Sequence, residues 1–176
     1  MTPNKQFLPI KTAELRVSFN ELKMDIVDLH EIPEIIPMLA EWHHQQWSYL
    51  NPQISLEKRT EEYQKFLSEG LIPSTFVARE NDEVMGSAAI VEHDMNTRME
   101  YSPWLASVFV HPSHRNKGVG STLVSHVISQ AKKNNTESLY LFTPDKEDFY
   151  KRFGWFTIHR EPYKNVQVFV MKVNLS

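Results

Sequence analysis

Two of the chain's five glycines, Gly118 and Gly120, lie two residues apart, with Arg115, Asn116 and Lys117 just before them and Val119 and Ser121 around them. Glycine admits backbone angles closed to other residues and puts no Cβ in the way of a ligand. Where a strand hands over to a helix at such a point, the first helical turn presents unpaired N–H groups and the positive end of the helix dipole. The arrangement suits an anion, and the charges of Arg115 and Lys117 would let it hold a diphosphate without a divalent metal. Two other groups could handle protons: Tyr150, and the cluster Glu92, His93 and Asp94.

Several other chemistries fail on the same residues. A Walker loop needs its lysine after the second glycine, and Lys117 precedes Gly118. A dinucleotide fingerprint needs a third glycine where Leu123 stands. There is no Gly-x-Ser-x-Gly elbow, and with no cysteine there is no disulfide framework, thiolate metal site or thiol nucleophile. His43 and His44 are adjacent, so on a helix they cannot face one metal, and no metal is expected.

The chain has 176 residues, 41% of them hydrophobic, and a formal charge of −3. One domain is expected, burying roughly 70% of the surface of its unfolded chain. Without a basic field, neither nucleic acid nor an anionic membrane is an expected partner. No stretch approaches the roughly 18 apolar residues of a membrane span, so the expectation is a soluble, cytoplasmic protein.

Periodicity then places the motifs. Residues 1–23 read as an N-terminal extension and 24–176 as the domain. Met24 to Leu29 reads as a strand, 34–47 as a helix, and a second helix starts after Ser55 and stops at Gly70. Strands follow at Thr75 to Arg79 and Val84 to Val91, linked at Asn81-Asp82. The almost continuously apolar Trp104 to Val110 suggests a strand covered on both faces. Val119, Leu123, Val124, Val127, Ile128 and Ala131 mark an amphipathic helix with Lys132 and Lys133 at its end. Leu139 to Phe142 is a strand, Asp145 is taken as the cap of a short helix ending at Gly154, and two strands flank Tyr163-Lys164-Asn165. This order gives a mixed α/β sheet with helices on both faces.

The run from Leu105 through His111-Pro112-Ser113-His114-Arg115-Asn116-Lys117-Gly118-Val119-Gly120 to Leu123 resembles the acetyl-CoA segment of the GNAT superfamily of N-acetyltransferases. Phe149-Tyr150-Lys151-Arg152-Phe153-Gly154-Trp155 is similar to that family's second signature. The resemblance covers about residues 24–175 and implies a mostly antiparallel sheet of about six to seven strands. It implies acetyl-CoA as co-substrate, with the amides from Arg115 to Ser121 around the pyrophosphate and the main chain of Val108, Phe109 and Val110 along the pantetheine arm. Tyr150 matches the tyrosine that hydrogen-bonds the departing sulfur. The acceptor would be a small-molecule or peptide amine attacking directly, covered by Ser48 to Ile54 and the tip Tyr163 to Asn165.

For the base the order of preference is Glu92, Asp94, then His93; strand alternation would put the two carboxylates on one face. The acidic residue that some members carry early in the strand before the loop is missing from Trp104-Leu105-Ala106-Ser107. A non-catalytic acyl-CoA-binding module and an enzyme for a longer acyl-CoA therefore stand as alternatives, and a homodimer is left open.

Overall fold

The computed structural model describes residues 24–67 and 70–176. The extension assigned to residues 1–23 lies outside them. Strand β1 (Asp25–Asp28) ends in a reciprocal cap: Asp28 accepts from the His30 N–H at 3.1 Å while Glu31 accepts from the Asp28 N–H at 3.3 Å. Pro33 and Pro37 are tolerated because each falls where a helix begins. Helix α1 (Ile36–Trp47) buries Ile36, Leu39, Ala40 and His43, a stripe at helical spacing.

Ser55 caps α2 (Leu56–Gln64), its hydroxyl accepting from the Lys58 N–H at 3.2 Å. The helix ends at Gln64 rather than Gly70, its last turns tightening through Lys65 and Phe66. Strands β2 (Ser74–Glu80) and β3 (Glu83–Val91) form a hairpin with Asn81 in the left-handed region. Then come β4 (Trp104–Val110), α3 (Val119–Lys133), β5 (Ser138–Thr143), α4 (Glu147–Lys151), β6 (Phe156–Tyr163) and β7 (Val166–Asn174). Lys164 and Asn165, both at positive φ, make the tight turn between the last two strands. Asp145 does not cap α4. No side chain caps this helix; the Thr143 hydroxyl accepts from the Lys146 N–H at 3.0 Å in the turn before it.

The sheet has seven strands in the order β1-β2-β3-β4-β5-β7-β6, and every neighbouring pair is antiparallel except β4 and β5. Helices α3 and α4 pack on one face over Leu105, Leu139, Leu141 and Met171, while α1 and α2 cover Val77 on the other. A third cluster, with Met95, Trp104, Tyr163, Val168 and Val170, lies under the segment between β3 and β4. The continuous apolar run in β4 has the expected cause: Trp104 and Leu105 belong to different clusters.

Two irregularities in β4 matter for function. Its only registered pair with β5 is Trp104 with Tyr140, so the two strands part company toward the glycine turn. Its ladder to β3 shifts between Ser87 and Ala89, opposite Ser107, which sits at φ 52°. This is a bulge, which re-aims the strand and frees an edge. Gly86 makes it fit, because a Cβ there would lie 2.4 Å from the Phe109 carbonyl oxygen. Gly86→Ala is expected to cost about 2 kcal/mol through this backbone clash, read as a lower urea midpoint with unchanged slope.

Candidate active site

The end of β4, the turn after it and the start of α3 form one continuous surface. Arg115 to Gly118 are exposed, while Val119 is buried as the first anchor of the helix. Gly118 is the N-cap, at φ 83°, with no side chain capping the helix. Its hydrogen faces open space, since a Cβ there would meet nothing within 4 Å. Its carbonyl takes the Thr122 amide at 3.0 Å, leaving the amides ahead of Thr122 at the helix mouth. Gly120 faces Val110 and Phe149: a Cβ there would stand 3.5 and 3.6 Å from them. Arg115 donates from Nε to the Val110 carbonyl at 3.1 Å, tying the turn to the strand end.

This cradle fits a diphosphate: bare amides at a helix start, an unobstructed glycine and the cations Arg115 and Lys117. Val108 and Val110 flank it and pack toward the α3 face, while Phe109 points to α1. A cavity of about 310 Å³ opens beside the turn, walled by Trp42, Gln45, Phe109, His111 and Arg115. His114 is turned inward, its Nε2 2.9 Å from a Glu83 carboxylate oxygen.

Tyr150 on α4 is 8% exposed and packs edge-on against Phe149 and Trp155. Its hydroxyl takes no part in the side-chain hydrogen bonds formed among the described residues. Burial, then the carboxylates of Asp145 and Asp94, push its pKa above the ordinary phenol value. It is therefore a protonated donor at neutral pH.

The three candidate bases do not share a surface. Strand β3 ends at Val91, so alternation does not carry into residues 92–94. Glu92 is exposed, and its nearest partner is His93 at 3.9 Å. Asp94 is turned in. Burial raises its pKa to about 6, against the opposing pull of the Lys164 ammonium, and its charge reaches Tyr150. Neighbouring Met95 is fully buried, and Arg98 grips both Glu161 oxygens on β6 at 3.1 Å from Nε, which holds the segment in place.

The two segments expected to cover the amine meet: Lys164 at the hairpin tip donates to the Asn51 side-chain oxygen at 2.6 Å. On the α1 side lies a polar chain that the sequence reading missed. His43, 1% exposed, places Nε2 3.0 Å from the Ser87 hydroxyl and takes the Tyr63 hydroxyl at Nδ1. The Ser107 hydroxyl in turn bonds Tyr63. Burial, then the Arg59 charge, lowers the His43 pKa to about 3, so the ring is neutral and relays two hydrogen bonds. The chain joins α1, α2 and β3 to the bulge and fixes its shape. The only sequence signal was His43 and Tyr63 falling on the inward stripes of their helices.

A sheet that splays at its one parallel pair, with a glycine turn and an uncapped helix at the mouth of the splay, is the framework of an acyl-transferring enzyme. The chain belongs to the acetyltransferase (GNAT) family, whose sequence model matches residues 36–155. Among solved structures it is similar to the putative acetyltransferase yncA from Salmonella typhimurium, determined with its cofactor acetyl-CoA: 17% identity, TM-score 0.65, covering 87% of this chain and 94% of that one. A GNAT-family acetyltransferase from Staphylococcus aureus shares 22% identity at TM-score 0.65, over 88% and 100% of the two chains. The spermidine/spermine N-acetyltransferase SpeG from Vibrio cholerae shares 15% at TM-score 0.65, over 88% and 94%. No curated protein matches the chain. Among the described residues no helix is long and apolar enough to cross a membrane.

Proposed function

We propose that this domain moves the acetyl group of acetyl-CoA onto the nitrogen of a small primary amine, by direct attack within a ternary complex. The reading rests above all on the parting of β4 from β5 beside the uncapped, unobstructed start of α3, in a chain of the GNAT family; Asp94, raised to about 6 by burial, and the buried Tyr150 are its proton-handling groups. The likeness to one protein named as a spermidine/spermine N-acetyltransferase supports a small amine. The cytoplasmic location expected from the sequence goes with this reading.

The turn from Arg115 to Ser121 would hold the pyrophosphate, and the free edge of Val108 to Val110 would hold the two pantetheine amides in peptide fashion. Acetyl-CoA supplies the activated thioester when bound. An amide of the bulged strand near Val108 stabilises charge growing on the carbonyl oxygen. Asp94 takes a proton from the incoming ammonium; the free amine then forms its bond to carbon as the bond to sulfur breaks, the second surplus proton on nitrogen goes to water, and CoA leaves as a thiolate under a hydrogen bond from the Tyr150 hydroxyl. Outright proton donation by Tyr150 is disfavoured: an unperturbed phenol at about 10 already exceeds a thiol at about 8.5, and burial widens the gap.

Turnover tests the role of Tyr150. Tyr150→Phe is expected to lower kcat about 100-fold for release of CoA in the presence of an amine panel, with CoA affinity unchanged. Unchanged turnover would remove Tyr150 from the chemistry. Absence of transfer by the native protein to every amine would leave only an acyl-CoA-binding module.

A further inference from the structure

The cavity of about 310 Å³ beside the glycine turn is open to solvent and has no part in the chemistry described so far. Glu41, Trp42, Gln45 and Gln46 of α1 line it on one side, and His111 and Arg115, at the handover from β4 to α3, on the other. Its wall is aromatic: the Trp42 ring lies 4.9 Å from that of His111 and 5.5 Å from that of Phe109, centroid to centroid.

The polar groups in this wall are largely uncommitted. Arg115 uses only Nε, on the Val110 carbonyl, and its Nη nitrogens make no hydrogen bond or ion pair among the described residues. His111 accepts the Ser113 amide at Nδ1, 3.4 Å away, so the proton of the neutral ring is on Nε2, which also lacks a partner there. A carboxylate only accepts, so the 3.3 Å bond between Gln45 and Glu41 fixes the Gln45 amide with Nε2 toward Glu41. Two oxygens are left over, Gln45 Oε1 and the second one of Glu41, and both can only accept.

The acetyl-CoA reading puts pantetheine along Val108 to Val110 and the pyrophosphate at the turn. The remaining part of the carrier, its 3′-phosphoadenosine, is bonded directly to that pyrophosphate and must lie next to the turn. Arg115 belongs to both places, as the first residue of the turn and as a wall of the cavity. Adenine has flat faces that stack on aromatic side chains and an exocyclic amino group with two hydrogens to donate.

We propose that this cavity seats the adenine of the carrier, the base stacking on Trp42 and its amino group donating to Gln45 and Glu41, with the free end of Arg115 left for the phosphates. Hypoxanthine, with a carbonyl where adenine has its amino group, would set oxygen against oxygen. The inference rests on the acetyl-CoA reading for the position of the pyrophosphate, and extends it to the opposite end of the carrier.

The test is calorimetric binding of CoA, its hypoxanthine analogue and 4′-phosphopantetheine to the full chain, with transfer to the amine panel measured alongside. The native protein is expected to bind CoA about tenfold or more tightly than the hypoxanthine analogue. Trp42→Leu weakens CoA about tenfold and leaves phosphopantetheine unchanged. Glu41→Gln, whose amide can turn a donor toward the carbonyl, narrows the preference for adenine. Equal binding of CoA and the hypoxanthine analogue by the native protein overturns the proposal and leaves the acetyl-CoA reading intact, whether or not the variants fold. A folded Trp42→Leu protein with full CoA affinity and a raised KM for the amine gives the cavity to the acceptor, and also overturns it. CoA held with the full adenine preference, while no amine is acetylated, keeps the adenine seat and removes the transferase reading. A native protein that binds no CoA removes both.

Discussion

Gly120→Trp is expected to abolish the stabilisation by CoA, while Gly120→Ala should retain most of it. The methyl of alanine would sit 3.5 Å from Val110 Cγ2 and 3.6 Å from Phe149 Cζ, ordinary contact distances, so the fold accepts it. An indole has no such room beneath and must project over the first helical amides, where the pyrophosphate needs close backbone approach. Ligand at about 100 times its Kd stabilises a protein by about 2.7 kcal/mol. That increment should appear as a raised Tm in the native protein and in Gly120→Ala, and vanish in Gly120→Trp. A full Tm shift in the tryptophan variant would mean that the carrier is held elsewhere.

Asp94→Asn is expected to lower kcat/KM by about 100-fold or more, the usual range for losing a positioned base. The sign of the pH dependence follows from the direction of the shift. Burial raises the carboxyl from its ordinary 3.8 to about 6, so the working carboxylate disappears as pH falls through 6. The native kcat/KM should therefore drop on the acid side of 6, and the asparagine variant should lack that limb. Stability runs the opposite way. A carboxyl that binds its proton more tightly in the folded state destabilises the fold above that pH, so Asp94→Asn should melt higher than the native protein at neutral pH. Lower activity with a higher Tm is the signature of a group kept at a cost to the fold. If instead Glu92→Gln carries the loss and Asp94→Asn is silent, the base has been misassigned.

The parts of this protein written in local sequence were readable, and those made by tertiary contact were not. The strand into Pro112, the glycine turn and the stripe of α3 follow from spacing alone. The Ser55 cap was equally visible, because its partner is three residues away. The end of α2 was misread since Gly70 looked like a stop while the helix unwinds at Gln64. Asp145 looked like a cap, yet no side chain caps this helix, and Thr143, still within the strand, bonds Lys146 in the turn before it. Alternation failed at residues 92–94 because it holds only as long as the strand does, and β3 ends one residue earlier. Nothing in sequence distinguished Gly86 from a glycine that merely turns; its need comes from Phe109, far along the chain. The chain from Ser87 through His43 and Tyr63 to Ser107 draws on four separate elements, so no window of neighbouring residues could contain it.

The bond from Lys164 to Asn51 joins two arms that are otherwise separate, the hairpin tip and the link between the first two helices. Under the proposed function, an acceptor passing between them would have to part this clasp, and the opening of the hairpin tip would then share with the exchange of bonds in setting the ceiling on throughput.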